Sequence, residues 1–164
     1  MNYELDLAIV EGKVNDASIN SLLLGTDYLV LVVPNNHRLA KKSMVTINDI
    51  KKEKMILRLP NSGTRNLFIA HLESLNMSLA EFNVILEVDN IATIKDLIRR
   101  YYGVSIFARS ACLDELSKGK ITVLPIEKLS MVRETSILYH QGFNHTDFLQ
   151  DNTKLYNEIA RIYK

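Results

Sequence analysis

Met55-Ile56-Leu57-Arg58-Leu59-Pro60-Asn61-Ser62-Gly63-Thr64-Arg65-Asn66-Leu67-Phe68 is the stretch on which the fold turns. An apolar run of strand character stops at Pro60, and a hydroxyl-rich turn then opens a helix. Asn61 or Ser62 stands where an N-cap belongs, Gly63 lets backbone N–H groups approach a ligand closely, and a helix start carries partial positive charge. Such a turn suits a small anion. An ordinary capped helix, with Ser62 bonded to its own backbone, would use the same residues.

The arrangement occurs again downstream. Phe82-Asn83-Val84-Ile85-Leu86-Glu87-Val88 has strand character, and Asp89-Asn90 caps a helix whose apolar face is Ile91, Ile94, Leu97 and Ile98, with Thr93 in its first turn. Two strand, cap, helix units in succession predict a parallel sheet with both helix starts at the carboxyl ends of the strands. In the first helix, expected from about residue 64 to 75, Leu67, Phe68, His71, Leu72 and Leu75 fall on one inward stripe. His71 sits beside that stripe and reads as a structural residue.

The flanking segments extend the α/β pattern. Leu5-Asp6-Leu7-Ala8-Ile9-Val10, closed by Glu11-Gly12, reads as a buried strand. Leu29-Val30-Leu31-Val32-Val33 is a second strand ended by Pro34, and its unbroken apolarity is typical of a strand covered on both faces. Residues 46–50 read as a helical turn, and Gly103 is placed to end the second helix in a left-handed conformation before a strand at 104–108. A short helix at 111–116 stops around Lys118-Gly119, strands follow at 121–125 and 135–139, and 147–163 is amphipathic through Phe148, Leu149, Leu155, Ile159 and Ile162.

A chain of 164 residues, 47% hydrophobic and 24% charged, can bury a core as one domain or two small lobes. Its net charge of +1, with no basic block beyond a pair except the lysines around 51–54, argues against nucleic-acid binding by the chain itself. Those lysines read as solvated surface. Cys112 is the only cysteine, which excludes an internal disulfide and leaves no Cys/His metal set, so neither metal nor cofactor is expected. No apolar stretch approaches the roughly 20 residues that cross a bilayer, and no basic-then-apolar leader opens the chain, so a cytoplasmic location without membrane contact is expected.

The order of these elements resembles the effector-binding region of LysR-type transcriptional regulators, whose fold is like that of type II periplasmic binding proteins. The resemblance is carried by Asp6 to Val10, by Leu29 to Pro34 with His37-Arg38-Leu39-Ala40, by Ser62-Gly63-Thr64-Arg65, by Ile94-Lys95 ahead of Gly103-Val104-Ser105, and by Glu115-Leu116 with Gly119. It implies two Rossmann-like lobes, the first at 1–34 and 134–164 and the second at 35–133, joined by paired hinge strands at 28–33 and 135–139. Family members begin with a winged helix-turn-helix, a linker helix and further elements of the first lobe. None of these precedes residue 6, so the first lobe is expected to be incomplete, and its uncovered apolar surface implies self-association.

The resemblance also implies a small effector in an interlobe cleft. By position, Asn61, Ser62, Gly63 and Thr64 would bind an anionic effector, with Arg65 either pairing with it or supporting the loop. Asn90 and Thr93 would approach from the second helix start, and Glu11 would face the cleft or stand as an exposed turn carboxylate. The implied partners are the effector and a second copy of the chain, a dimer being expected, with DNA reached only through the absent winged helix-turn-helix. Two residues depart from the family pattern: Tyr101 stands where many members have the first glycine of a Gly-x-Gly-Ile turn, and Ala108 where many have proline. Two alternatives remain, a solute-binding protein of the same fold and a small enzyme using the helix-start anion site. Against the enzyme, His71 lies about two turns from Ser62, and the glycine pattern fits neither a P-loop nor a nucleophile elbow.

Overall fold

The computed structural model describes residues 5–12, 14, 16–127 and 132–162, with side chains described as far as residue 159. The elements run β1 (Leu7–Glu11), β2 (Ile19–Val33), α1 (Ile47–Ile50), β3 (Lys54–Leu57), α2 (Gly63–Ser74), β4 (Asn83–Glu87), α3 (Ile91–Arg99), β5 (Ser105–Ala108), α4 (Leu113–Ser117), β6 (Thr122–Pro125), β7 (Val132–His140) and α5 (Thr146–Ile162). They form two compact units, Met1–Asp27 with Val132–Lys164, and Tyr28–Met131.

In the first unit β1 runs antiparallel to β7, with Leu7 opposite Tyr139 and Glu11 opposite Thr135. β7 lies between β1 and β2 in the sheet. β2 begins at Ile19, ten residues before the strand read from the sequence, because polar Asn20, Ser21, Thr26 and Asp27 interrupt the apolar run without interrupting the strand. The core here is small: Leu24, Ile137 and Leu149 are buried, and Leu22, Tyr139, Phe143 and Tyr156 pack around them. α5 differs from its expected burial. Leu149 turns inward and Tyr156 packs beside it, whereas Phe148, Leu155 and Ile159 are each about half exposed, since that small core covers only a narrow stripe of the helix. Tyr163 and the side chain of Ile162 lie outside the described residues.

In the second unit the later half of β2 is flanked on both edges, by β5 with Val30 opposite Phe107 and by β6 with Leu31 opposite Leu124, both antiparallel. Its alternate side chains feed two cores. Leu29, Leu31 and Val33 meet Leu39, Ile50 and the Phe68 and Leu72 of α2 on one face. Val30 and Val32 meet Ile56, Cys112 and the Ile94 and Ile98 of α3 on the other. Covering both faces explains the unbroken apolar sequence of this strand, each fully buried aliphatic contributing about 1.5–3 kcal/mol.

β3 pairs in parallel with β4, as the repeated strand, cap, helix pattern predicts, with a register shift between Met55 and Ile56. On its other side it meets Val104, through Ile56 N–H to the Val104 carbonyl at 2.8 Å and Val104 N–H to the Lys54 carbonyl at 2.9 Å. β4 is the outer strand, and its Ile85 and Leu86 are partly exposed.

Three helices of this unit end alike. Beyond α2, α3 and α4 the N–H groups of Asn76 and Met77, of Tyr101 and Tyr102, and of Gly119 and Lys120 turn back onto carbonyls of the last turn, the paired bonds of a Schellman cap. The left-handed residue is Asn76 (φ 57°), Tyr101 (φ 64°) and Gly119 (φ 61°) respectively. The expectation that Gly103 fills this role is therefore corrected: Tyr101 does. Gly103 is needed for a different reason, since a Cβ there would lie 2.5 Å from the Lys54 carbonyl oxygen and force β5 off β3. Leu75, placed on the inward stripe from sequence, caps α2 and is 41% exposed. A left-handed conformation costs a residue with a Cβ about 1 kcal/mol, and Tyr101 is more than half exposed. Tyr101→Gly is accordingly expected to raise unfolding free energy by about 1 kcal/mol, read from urea denaturation midpoints.

Candidate functional site

The turn after β3 closes with the Ser62 N–H on the Leu59 carbonyl at 3.0 Å, and Ser62 becomes the N-cap of α2 with an extended backbone. Its side chain makes no capping hydrogen bond. The ordinary capped helix, with Ser62 bonded to its own backbone, is thus not what forms, and the first-turn N–H groups of α2 are not served from that side chain. Gly63 opens the helix with nothing within 4 Å of where a Cβ would stand and without a left-handed φ. The fold does not require glycine there; the space in front of it is open.

The second helix start is built differently. Asn90 caps α3 by accepting the Thr93 N–H on Oδ1 at 3.2 Å, and both residues are exposed. Parallel pairing of β3 and β4 brings the two helix starts to the same edge of the sheet, while α2 and α3 cover opposite faces.

Two arginines stitch these loops together. Arg65 Nη1 donates to the Arg58 carbonyl at 2.9 Å and pairs with Glu87 Oε1 at 2.8 Å. Arg58 Nη2 reaches Asp89 Oδ1 at 3.3 Å. The Arg65 side chain is only 10% exposed, so of the two roles open to it from sequence the geometry supports loop support. Each arginine also keeps a buried Nε without a hydrogen-bond partner. The sequence motif by itself gives Arg58 no role; the signal for one is a cation at the end of one strand with Asp89 just past the end of the next.

Glu11 is the last residue of β1 rather than a turn residue beyond it, and its carboxylate is ion-paired with Arg133. It belongs to the first unit, whereas residues 61–65, Asn90 and Thr93 belong to the second. His71 has a buried Nε2 with no hydrogen-bond partner, and burial lowers its pKa from the ordinary 6.5. Through that atom it serves neither Ser62 nor Thr64 as a base. Among the described residues no group of His, Cys, Asp and Glu is arranged to hold a metal ion.

The family model described as the LysR substrate binding domain matches residues 1–151. The chain belongs to this family. A relative in Methanocaldococcus jannaschii, an uncharacterized HTH-type transcriptional regulator, is 33% identical over 128 residues, 78% of this chain and 43% of that protein. The LysR domain chain spans about half the length of the curated relatives it matches. Among solved structures, the Synechocystis CcmR regulatory domain in complex with 2-PG superposes with TM-score 0.73 at 23% identity, covering 94% of this chain and 73% of that one. The effector binding domain of QuiR in complex with shikimate gives 0.65 at 24% identity, covering 96% and 71%. The fold of this LysR domain is therefore the type II periplasmic-binding-protein-like one. Its named relatives are transcriptional regulators, and none of its described helices is long and apolar enough to cross a membrane.

Two outcomes follow from the site's electrostatics. Arg65→Met should lower stability by about 2 kcal/mol, measured by chemical denaturation, because it removes charge-assisted bonds to Glu87 and to the Arg58 carbonyl. For His71, the unfolded chain binds the proton more readily than the folded one, so the stability present above pH 6.5 is lost as the pH falls from there through the folded value. A urea midpoint series across that range should show this loss, and His71→Leu should flatten it.

Proposed function

We propose that this LysR domain senses a small anionic metabolite at the 61–65 turn. The observation that carries the reading is the α2 start: a helix terminus whose Ser62 side chain makes no capping hydrogen bond, open space before Gly63, and two arginines close behind. Asn61, Ser62, Gly63 and Thr64 hold the anion, Arg65 fixes the loop and adds long-range positive charge, and Asn90 and Thr93 contribute from the α3 start. Similar regulatory domains described with 2-PG and with shikimate support a small polar ligand for this fold.

The two units, Met1–Asp27 with Val132–Lys164 and Tyr28–Met131, act as the two effector lobes that the sequence puts at 1–34 with 134–164 and at 35–133. Ligand binding shifts the angle between them, and in the intact regulator, a dimer or larger homo-oligomer in the cytoplasm, this re-spaces winged helix-turn-helix domains on DNA. The activity is binding rather than catalysis, a reading supported by His71 Nε2, which makes no hydrogen bond to the turn hydroxyls.

Gly63→Ala separates binding from folding. Alanine is the better helix former, so the variant should be at least as stable as the parent, while the added methyl occupies the approach to the first-turn N–H groups. With inorganic phosphate and a panel of small organic acids as probes, thermal-shift stabilisation should appear in the parent and be lost in Gly63→Ala and in Thr64→Ala. Equal stabilisation of all three proteins would refute the site.

A further inference from the structure

We propose that the second unit carries another ligand pocket, at the opposite end of β3 from the 61–65 turn, shaped for a small aromatic carboxylate. The cavity has a volume of about 270 Å³ and lies between the end of β2, the start of β3 and the loop from α3 to β5. Pro34 and Val104 supply apolar wall, and Lys52, Lys54, Tyr101 and Tyr102 stand around it. Four residues of strand, about 13 Å, separate it from the turn, so one ligand of metabolite size does not fill both.

The floor is rigid. Glu53 is 9% exposed and its two oxygens are engaged separately, Oε1 by Arg38 Nη2 and Oε2 by His37 Nε2 at 3.3 Å. His37 Nδ1 accepts the Leu39 N–H at 3.2 Å, which leaves the proton on Nε2 to point at Glu53. Beside it Gly103 lets the backbone of β5 close onto the Lys54 carbonyl. Glu53 and Arg38 cancel, and no ion pair engages Lys52 or Lys54 among the described residues. Two uncompensated ammonium groups make the pocket selective for an anion.

Tyr101 indicates that the anion carries a ring. It is the one bulky side chain among the three left-handed helix ends, and burial does not compensate for its strain, because it is 58% exposed. Asparagine or glycine serves the other two ends. What tyrosine adds is an aromatic face and a hydroxyl at the mouth of the cavity, beside Tyr102, which is 55% exposed. A flat ring between or against these faces, with its carboxylate toward Lys52 and Lys54, uses every group that the fold leaves unengaged there.

The experiment is an amide chemical-shift titration of the full 164-residue chain with benzoate, 4-hydroxybenzoate and indole-3-carboxylate, using cyclohexanecarboxylate and phenol as controls. The proposal expects saturable shifts centred on residues 34–38, 52–54 and 101–104 with at least one aromatic acid, and weaker shifts with both controls. Tyr101→Gly, which retains the helix cap, should lower that affinity about tenfold, and the double variant Lys52→Gln/Lys54→Gln should lower it as much. The Gly63→Ala variant should bind the same acid unchanged, so this pocket and the 61–65 turn are judged independently. Absence of saturable shifts with all three acids, shifts centred on 61–65 and 90–93 instead, or undiminished affinity in Tyr101→Gly would overturn it.

Discussion

β3 is the element on which the second unit depends, and its place is set by a single close approach. Gly103 lets the chain leaving α3 press its backbone against the Lys54 carbonyl, so β3 has a hydrogen-bonded neighbour on each side, β4 and the start of β5. A buried strand with hydrogen-bonded neighbours on both edges and cores on both faces can carry Met55, Ile56 and Leu57 without a polar interruption. Met55 and Leu57 then enter one core and Ile56 the other. Moving β3 would disturb both cores at once.

The same strand organises what can bind. Its carboxyl end releases the chain into the 61–65 turn, and parallel pairing with β4 sets the second helix start beside it. Arg58 and Arg65 fasten these loops to Asp89 and Glu87, so the turn is held by charge-assisted bonds between side chains and backbone rather than by apolar packing. The helix starts are not equivalent. Asn90 uses its side-chain carbonyl oxygen on the Thr93 N–H, whereas the Ser62 side chain makes no capping hydrogen bond.

Much of this was legible in the sequence because it is local. The apolar run at 29–33, the Asn90 cap, the 3.6-residue stripes of α2 (up to Leu72) and α3 and the strand, cap, helix repeat all act over a few residues, and the structure follows them. What was missed depends on partners distant in sequence. The first half of β2 is polar enough to read as loop and becomes a strand through its neighbour β7, more than 100 residues away. Exposure of Phe148, Leu155 and Ile159 cannot be read from their spacing, since periodicity shows which face could be buried but not whether a facing layer exists. The roles of Asn61, Ser62 and Thr64 rest on resemblance, and the geometry adds the uncapped Ser62 and the open space at Gly63.

Gly103 and Tyr101 show why a rule of residue type fails where two constraints meet within three residues. A glycine after a helix reads as the left-handed cap, and at α4 that reading holds, with Gly119 at φ 61°. At α3 the requirement for a missing Cβ lies two residues beyond the cap, where the chain crosses Lys54, and there the contact admits glycine alone. The cap itself tolerates a Cβ at modest cost, as Asn76 shows at α2, so glycine is required at position 103 and only favoured at 101, where tyrosine stands. The two penalties differ in kind: an overlap at 2.5 Å with backbone cannot be relaxed, whereas a left-handed tyrosine can be borne by a unit with two well-filled cores.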